Sequence, residues 1–309
     1  MPRILVTNDD GIYSEGLRKL AAVCRQHGDV TIVAPDREQS AASHALTLNR
    51  PLRLLQIQKD EWIVDGTPSD CVNLAILKVM KDARPDLIVS GINFGPNLGD
   101  DVTYSGTISA AFEGALLNIP SVAFSATVGE HFSWDRCAEF AGEMTRIALA
   151  EHKDPRVILN VNFPLGELAG VKITALGRRV YTEGVIERKD PRGRSYYWIG
   201  GEPPTWHPGK GTDFEAIQAG YVSITPSVYT RRPRVVMRTP AKSRLGKLTL
   251  RITRGSRCSS SAWRTSSPAN SAQRSKEKCS PTSAENAIDG MLSSAPSNAA
   301  EIVPEYVTS

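Results

Sequence analysis

The stretch Arg3-Ile4-Leu5-Val6-Thr7-Asn8-Asp9-Asp10-Gly11 decides the fold of this chain. Its apolar run predicts a buried parallel strand, which ends at two adjacent carboxylates and a glycine. Ligands of open α/β sheets bind beyond the carboxyl ends of the strands, so Asp9 and Asp10 are expected at a site. Two neighbouring carboxylates repel each other unless a cation or proton lies between them. A solvated turn explains the same residues, because Asn, Asp and Gly are common turn formers.

After this strand, short apolar runs alternate with amphipathic stretches. Strands are predicted at 30–34, 86–90, 121–125 and 157–161, with a β-hairpin region at 46–64. Helices are predicted to begin after Ser14, Thr67 and Ser105, each of which is a good N-cap residue, and a further helix is predicted at 135–150. Strands that alternate with helices of this length predict an α/β fold with a parallel, doubly wound sheet.

The remaining chain divides into two parts. Residues 165–220 scatter Gly, Pro, Trp and Tyr among short β-like runs, and residues 221–225 form the last clear strand. The 83 residues after Pro226 contain 16 serines and few apolar clusters; only 247–253 alternates like a strand. Such a segment buries too little apolar surface to offset its ordering entropy, so most of it is predicted to be disordered. We therefore predict a core at 1–164, a β-rich extension with the last core strand at 165–226, and a tail at 227–309.

Composition and charge narrow the functional classes. The chain has 309 residues, of which 40% are hydrophobic and 23% charged, as in globular proteins. No apolar run approaches the roughly twenty residues of a membrane span, and no signal-peptide core follows Met1. Three of the five scattered cysteines fall in predicted helices, which favours reduced, buried thiols in a cytoplasmic protein. The tail holds 14 basic against 5 acidic residues and the body is mildly acidic, so no specific nucleic-acid binding is expected.

Small polar residues gather at four places that follow a strand or begin a helix. These are Asn8-Asp9-Asp10-Gly11, the loop with Ser40, the turn from Asn93 to Asn97, and Ser105-Gly106-Thr107. Asp, Asn and Ser supply hard oxygen ligands without nearby His or Cys, which favours Mg²⁺ or Mn²⁺ over zinc. The hydroxyls and N–H groups of a helix start suit a phosphate. Taken singly, each motif is a weak signal: Ser105-Gly106-Thr107 is more often a helix cap, Gly95-Pro96-Asn97 is more often a turn, and Asn93 by default bonds its own backbone. Together they predict metal-dependent hydrolysis of a phosphate ester.

The motifs identify a resemblance to the SurE family, the survival-protein nucleotidases, from about Arg3 to Pro226. The matching segments are Ile4-Leu5-Val6-Thr7-Asn8-Asp9-Asp10-Gly11, Ala34-Pro35-Asp36-Arg37, Ser40-Ala41, Gly66-Thr67-Pro68-Ser69-Asp70-Cys71-Val72, Ser90-Gly91-Ile92-Asn93, Gly95-Pro96-Asn97, Ser105-Gly106-Thr107 and Gly220-Tyr221-Val222-Ser223-Ile224-Thr225-Pro226. The resemblance implies a Rossmann-like core with a smaller β-rich extension used in oligomerisation. It also implies a metal-dependent phosphatase that acts on nucleoside 5′- and 3′-monophosphates and, in some members, on short polyphosphate.

The same resemblance assigns roles to individual residues. One divalent cation, Mg²⁺ or Mn²⁺, is expected to bind to the four matched ligands Asp9, Asp10, Ser40 and Asn93. Of these, Asp9, Asp10 and Asn93 are also expected to be catalytic. The phosphate pocket is expected at Asn97, Ser105, Gly106 and Thr107, with Gly66-Thr67-Pro68 at its border. The five histidines lie outside these motifs, so attack by a metal-activated water without a phosphoenzyme is predicted, with Ser105 and Thr107 holding the phosphoryl oxygens.

The sequence departs from the family pattern after Pro226. Members usually continue with an apolar segment and a helix that packs in the oligomer, whereas this chain continues into the Ser/Arg-rich tail. The change is typical of a shifted reading frame. This departure bears on the expected homodimer or homotetramer and not on the metal site. Deletion of the chain from about Ser227 onward is predicted to spare activity.

Two other classes of protein compete with a nucleotidase. A phosphoacceptor receiver domain also places paired acids after its first strand, but it needs a further Asp after its central strand, where this chain has Ser90-Gly91-Ile92-Asn93. A non-catalytic nucleotide-binding regulator on the same fold remains an alternative, because fold alone does not specify turnover. Release of phosphate from AMP that requires a divalent cation distinguishes an enzyme from such a regulator.

Overall fold

The computed structural model describes residues 1–180, 184–199 and 205–228, together with the backbone of two further strands at 234–238 and 249–253. Nine strands form one sheet in the order β3-β4-β2-β1-β5-β6-β7-β13-β8. Their bounds are β1 Arg3–Thr7, β2 Asp29–Pro35, β3 Leu54–Gln58, β4 Glu61–Val64, β5 Leu87–Phe94, β6 Ser121–Ala126, β7 Val157–Phe163, β8 Gly170–Ile173 and β13 Tyr221–Val228. The five α-helices of the described residues are α1 Glu15–Cys24, α2 Pro68–Leu74, α3 Gly106–Leu116, α4 Trp134–Glu151 and α5 Asp213–Gln218; a π-helical turn at Ala75–Val79 continues α2, and a 3-10 helix spans Gly99–Thr103.

The centre of the sheet is parallel from β4 to β7, while β3 and β13 run antiparallel to their neighbours β4 and β7. Apolar side chains alternate between the two faces of the strands. One set packs with α1 and α4, and the other packs with α2 and α3. This three-layer arrangement confirms the predicted doubly wound, mostly parallel α/β fold.

Local sequence signals determine where the helices begin. Ser14 accepts from the N–H of Leu17, and Ser105 accepts from the N–H of Ile108, as N-cap residues do. At α2, Thr67 and Asp70 form a capping box, with Pro68 in the first turn. These three predicted helix starts are confirmed.

Other boundaries differ from the sequence predictions. Strand β5 does not end at Ser90: after an irregularity at residues 91–92 it resumes pairing with β6, so that Asn93 lies opposite Ser125. Asn93 is therefore at the end of a strand and not in a turn. The predicted hairpin is confirmed only at 54–64, and helix α5 was not predicted.

The extension adds two short pairs of strands beyond the main sheet, and the predicted tail contains a third pair. Strands β9 Arg179–Val180 and β12 Thr205–Trp206 pair, β10 Val185–Lys189 pairs with β11 Ser195–Ile199, and β14 Arg234–Arg238 pairs with β15 Thr249–Thr253. Residues 221–225 are not the last strand, because β13 continues to Val228 and β14 and β15 follow it. Strand β13 thus crosses the boundary that we predict at 226, and the division into three domains stays a prediction.

Two further predictions concern the tail and the thiols. The predicted disorder of the tail falls, apart from these strands, on residues outside those described. Cys24, Cys71 and Cys137 are free and buried, as predicted, and burial raises the pKa of each thiol. Cys258 and Cys279 lie outside the described residues. Within the described part of the chain, no helix is both long and apolar enough to cross a bilayer.

Candidate active site

The candidate site lies where the order of the strands reverses. From β1 the chain proceeds to β2 on one side, and it later returns to β5 on the other side of β1. Such a switch point opens a crevice beyond the carboxyl ends of the two strands. Asp9 and Asp10 follow β1, and Asn93 lies at the end of β5, so the sheet brings these predicted residues to one crevice.

Asp9 is held at the N terminus of α3. Its carboxylate accepts a hydrogen bond from the Thr107 hydroxyl and interacts with the backbone N–H groups of Gly106 and Thr107. Only 4% of Asp9 is exposed, and this burial raises its pKa although these hydrogen bonds oppose the rise. A β-carbon at Gly106 would lie 2.7 Å from the Asp9 β-carbon, so this close approach requires glycine.

Asp10 faces the end of β5. Its Oδ2 accepts from the N–H of Phe94 at 3.3 Å. Burial and the negative charges of Asp9 and Glu38 together raise the pKa of Asp10 to about 6, although the hydrogen bond from Phe94 opposes the rise. In the described part of the chain, neither aspartate forms an ion pair with a basic side chain. The two carboxylates therefore concentrate negative charge that no basic side chain of the described residues neutralises.

The loop with Ser40 reaches the same place through its backbone. The N–H of Gln39 donates to the Asp9 carbonyl at 2.7 Å, which fixes this loop beside β1. Ser40 is exposed, and its hydroxyl donates to Glu38 Oε1 at 2.5 Å. Asn93 donates its side-chain N–H to the Gly95 carbonyl at 2.8 Å, so its amide oxygen is the atom that can bind a metal.

Asn97 belongs to a buried polar network. Its backbone N–H donates to Asn162 Oδ1 at 2.7 Å, and its carbonyl accepts from the side-chain amides of Asn160 and Asn162 at 2.9 and 3.0 Å. Its own side-chain amide donates to Ser125 Oγ at 2.8 Å. Both asparagines of β7 and the serine of β6 are fully buried. In this structure Asn97 therefore anchors the loop after β5 to the neighbouring strands.

A second contact fixes this loop to the extension. The Asp213 carboxylate, which is fully buried, accepts from the N–H of Gly99 at 2.7 Å and from the N–H of Gly177 at 2.8 Å. Burial raises the pKa of Asp213, while these hydrogen bonds lower it. The loop is thus attached to the sheet at Asn97 and to α5 at Gly99.

The long loop that follows Ser40 is attached to α3. His44 Nε2 lies 2.7 Å from Oε2 of the buried Glu113, and the N–H of Ser43 donates to the Tyr104 carbonyl. The Thr67 hydroxyl, at the start of α2, donates to the Ala45 carbonyl at 2.7 Å. The predicted border segment Gly66-Thr67-Pro68 therefore contacts the loop that carries Ser40.

The chemistry of the donors fits a hard divalent cation. Two carboxylates, a hydroxyl and an amide oxygen are the ligands that Mg²⁺ and Mn²⁺ prefer. Among the described residues, no three His, Cys, Asp or Glu side chains cluster in metal-binding geometry. The candidate set accordingly depends on the Ser and Asn oxygens beside the two aspartates.

Sequence reasoning missed the residues that support the site. Asn160 and Asn162 lie on one face of a buried strand, where apolar residues are usual, so their presence was a usable signal. Helix α5 carries a Thr212-x-x-Glu215 capping pattern, which could have revealed it. The pair of His44 and Glu113 had no signal in the sequence, because 69 residues separate them.

Comparisons with known proteins agree with this fold. The family model described as "Survival protein SurE" matches residues 4–183. A Geobacter sulfurreducens protein named 5′-nucleotidase SurE is 49% identical over 227 residues, which are 72% of this chain and 86% of that protein. The protein of the same name from Myxococcus xanthus is 50% identical over 226 residues, with the same coverage of both chains. The crystal structure of the SurE protein from Aquifex aeolicus matches with a TM-score of 0.65 and 41% identity, over 74% of this chain and 93% of that chain. This chain belongs to the SurE family.

Proposed function

We propose that this chain is a 5′-nucleotidase, which hydrolyses nucleoside 5′-monophosphates to nucleoside and phosphate with one divalent cation, Mg²⁺ or Mn²⁺. The observation that carries the proposal is the position of the two aspartates in the crevice of the sheet, with Asp9 at the start of α3 and Asp10 facing the end of β5. Relatives at 47–52% identity are named 5′-nucleotidase SurE, which supports the reaction class. We extend the proposal to 3′-monophosphates and short polyphosphate.

Asp9, Asp10, Ser40 and Asn93 would hold the cation through their oxygen atoms. Once bound, the cation would activate a water molecule for attack on phosphorus and neutralise charge on the phosphoryl oxygens. Asp9 and Asp10 supply the negative charge that holds it. The contact from Thr107 keeps Asp9 in one orientation, and the contact from Phe94 does the same for Asp10.

The phosphate would bind at the N terminus of α3. The Ser105 hydroxyl accepts from the Ile108 N–H and can donate its own hydrogen to a phosphoryl oxygen. The N–H groups of Gly106 and Thr107 point to the same side as the carboxylate of Asp9. Asn97 would border the phosphate from the adjacent loop, whose position the β7 asparagines fix.

We further propose a cytoplasmic homodimer or homotetramer without specific nucleic-acid binding, built from the three predicted segments 1–164, 165–226 and 227–309. The exposed aromatic residues of β11 support self-association through the extension. Light scattering of the purified chain measures its oligomeric state directly.

Phosphate release from AMP tests the proposed activity. The purified full chain should release phosphate with Mn²⁺ and stop in EDTA, and Asp9→Asn should remove most of the activity. Binding of AMP without release of phosphate under any tested cation would instead support the alternative of a non-catalytic nucleotide-binding regulator.

A further inference from the structure

An aromatic platform lies directly beside the candidate cation site. It consists of Phe94 at the end of β5, Phe132 just before α4, and Trp134 at the start of α4. The Phe94 ring is 5.9 Å from the Phe132 ring in an edge-on arrangement and 6.0 Å from the Trp134 ring. Phe132 and Trp134 are themselves 4.8 Å apart at 80°, and both pack against the main core. Phe94 is therefore supported by two further rings and does not stand alone.

Phe94 is exposed although its two supporting rings are half-buried. Its exposed fraction is 59%, so more than half of its surface is accessible to solvent. Isolated exposed apolar residues are ordinary, but a ring that two other rings hold in place keeps a constant orientation. Such a surface suits stacking with a flat, aromatic ligand.

The position of Phe94 ties the platform to the reaction. Its backbone N–H donates to the Asp10 carboxylate, and the preceding residue, Asn93, is a proposed ligand of the cation. A ligand whose phosphate lies between the cation and α3 would bring its remaining part to the rim of this crevice. The rest of a nucleoside monophosphate is a ribose and a planar base.

We propose that the platform stacks with the nucleobase of the substrate, so that Phe94 is a specificity-determining residue. This inference rests on the proposed nucleotidase function. Because stacking accepts the π face of every base, the platform would select nucleotides over other phosphate monoesters without strong preference among bases. Phe94 would contribute to substrate affinity and not to the chemistry at phosphorus.

Two substrates that differ only in the base test the proposal. In the presence of Mn²⁺, Phe94→Ala should lower kcat/KM for AMP about 5- to 100-fold, mainly through KM, and change that for ribose 5-phosphate less than about twofold. Phe94→Tyr should preserve the preference for AMP, whereas Phe94→Leu, which stays apolar but lacks the ring, should lose most of it. Tyr104→Ala is the matched control, because Tyr104 is 57% exposed and immediately precedes Ser105.

Adenosine binding gives a readout that needs neither cation nor turnover. In saturation-transfer NMR, adenosine should receive signal from the wild type and from Phe94→Tyr, and much less from Phe94→Ala. An equal loss on AMP and ribose 5-phosphate, unchanged kinetics, or a loss of base preference in Tyr104→Ala instead of Phe94→Ala would overturn the proposal. So would a change of oligomeric state in Phe94→Ala that accounts for its kinetics. If the wild type hydrolyses neither substrate, the proposed function fails, while adenosine binding still tests the platform.

Discussion

Replacing Asn162 by alanine should destabilise the protein more than replacement of any single surface residue. The Asn162 side chain accepts from the N–H of Asn97, donates to the carbonyl of Asn97, and donates to Asn160 Oδ1. Asn162→Ala removes these three buried hydrogen bonds together. The Asn97 carbonyl keeps its bond from Asn160, but the Asn97 N–H loses the partner that it has in this structure.

The magnitude follows from these contacts. A buried hydrogen bond contributes about 1 kcal/mol net, and a buried N–H without a partner costs about 1–3 kcal/mol. Asn162→Ala should therefore lower the free energy of unfolding by about 3–5 kcal/mol, whereas Asn160→Ala, which loses two bonds, should cost about 2 kcal/mol. For a protein of this size, a loss of 3 kcal/mol lowers Tm by roughly 6–12 °C.

Urea unfolding, followed by circular dichroism and tryptophan fluorescence, measures both variants. Asn73→Ala serves as the control, because Asn73 makes one local contact, with the Ser69 carbonyl at 3.1 Å, and should change stability by less than about 0.5 kcal/mol. A loss below about 1 kcal/mol in Asn162→Ala, or an equal loss in Asn160→Ala, would refute the reasoning.

Three further predictions concern charge, space and pH. Asp9→Asn should lower turnover at least about a hundredfold, because charge is lost at the cation site; near-native turnover at equal cation occupancy would exclude Asp9. Gly106→Ala should weaken Mn²⁺ binding in calorimetry about tenfold by displacing Asp9, whereas Gly142→Ala, which meets only the Val23 side chain and His27, should not. Burial lowers the pKa of His152 to about 4, below its unfolded value of about 6.5. The contribution of neutral His152 to the free energy of unfolding should therefore be complete above pH 6.5 and fall by about 3 kcal/mol as the pH is lowered to 4. Urea unfolding of His152→Leu should lack this loss.

Local signals in the sequence were sufficient for most elements of the fold. Apolar runs identified the central strands, and the side chains of Ser14, Thr67 and Ser105 marked three helix starts because a cap acts within one turn. The end of β5 could not be predicted in this way. Gly91 resembles the start of a turn, and only the renewed pairing with β6 makes the next residues a strand.

The candidate site was predictable to the level of its polar loops. Because parallel strands end at the same edge of a sheet, these polar residues were expected to meet. Asp9 indeed follows β1, and Asn93 lies at the end of the adjacent strand β5. The contact between Asp9 and Thr107 spans 98 residues. Sequence spacing carries no information about such a pair, so the orientation of Asp9 required the three-dimensional structure.

The supporting asparagines show why pairing register carries functional information. In β7, residues 158, 160 and 162 face α3, while 157, 159, 161 and 163 face the core under α1 and α4. A slip of one residue would direct apolar side chains at the backbone of Asn97 and bury two amides in that apolar core. The hydrogen-bonding needs of Asn97 therefore act together with the apolar pattern to fix the register of β7. Strand β7 thus contributes apolar side chains to the core and also determines where the loop beyond Asn93 lies relative to the N terminus of α3.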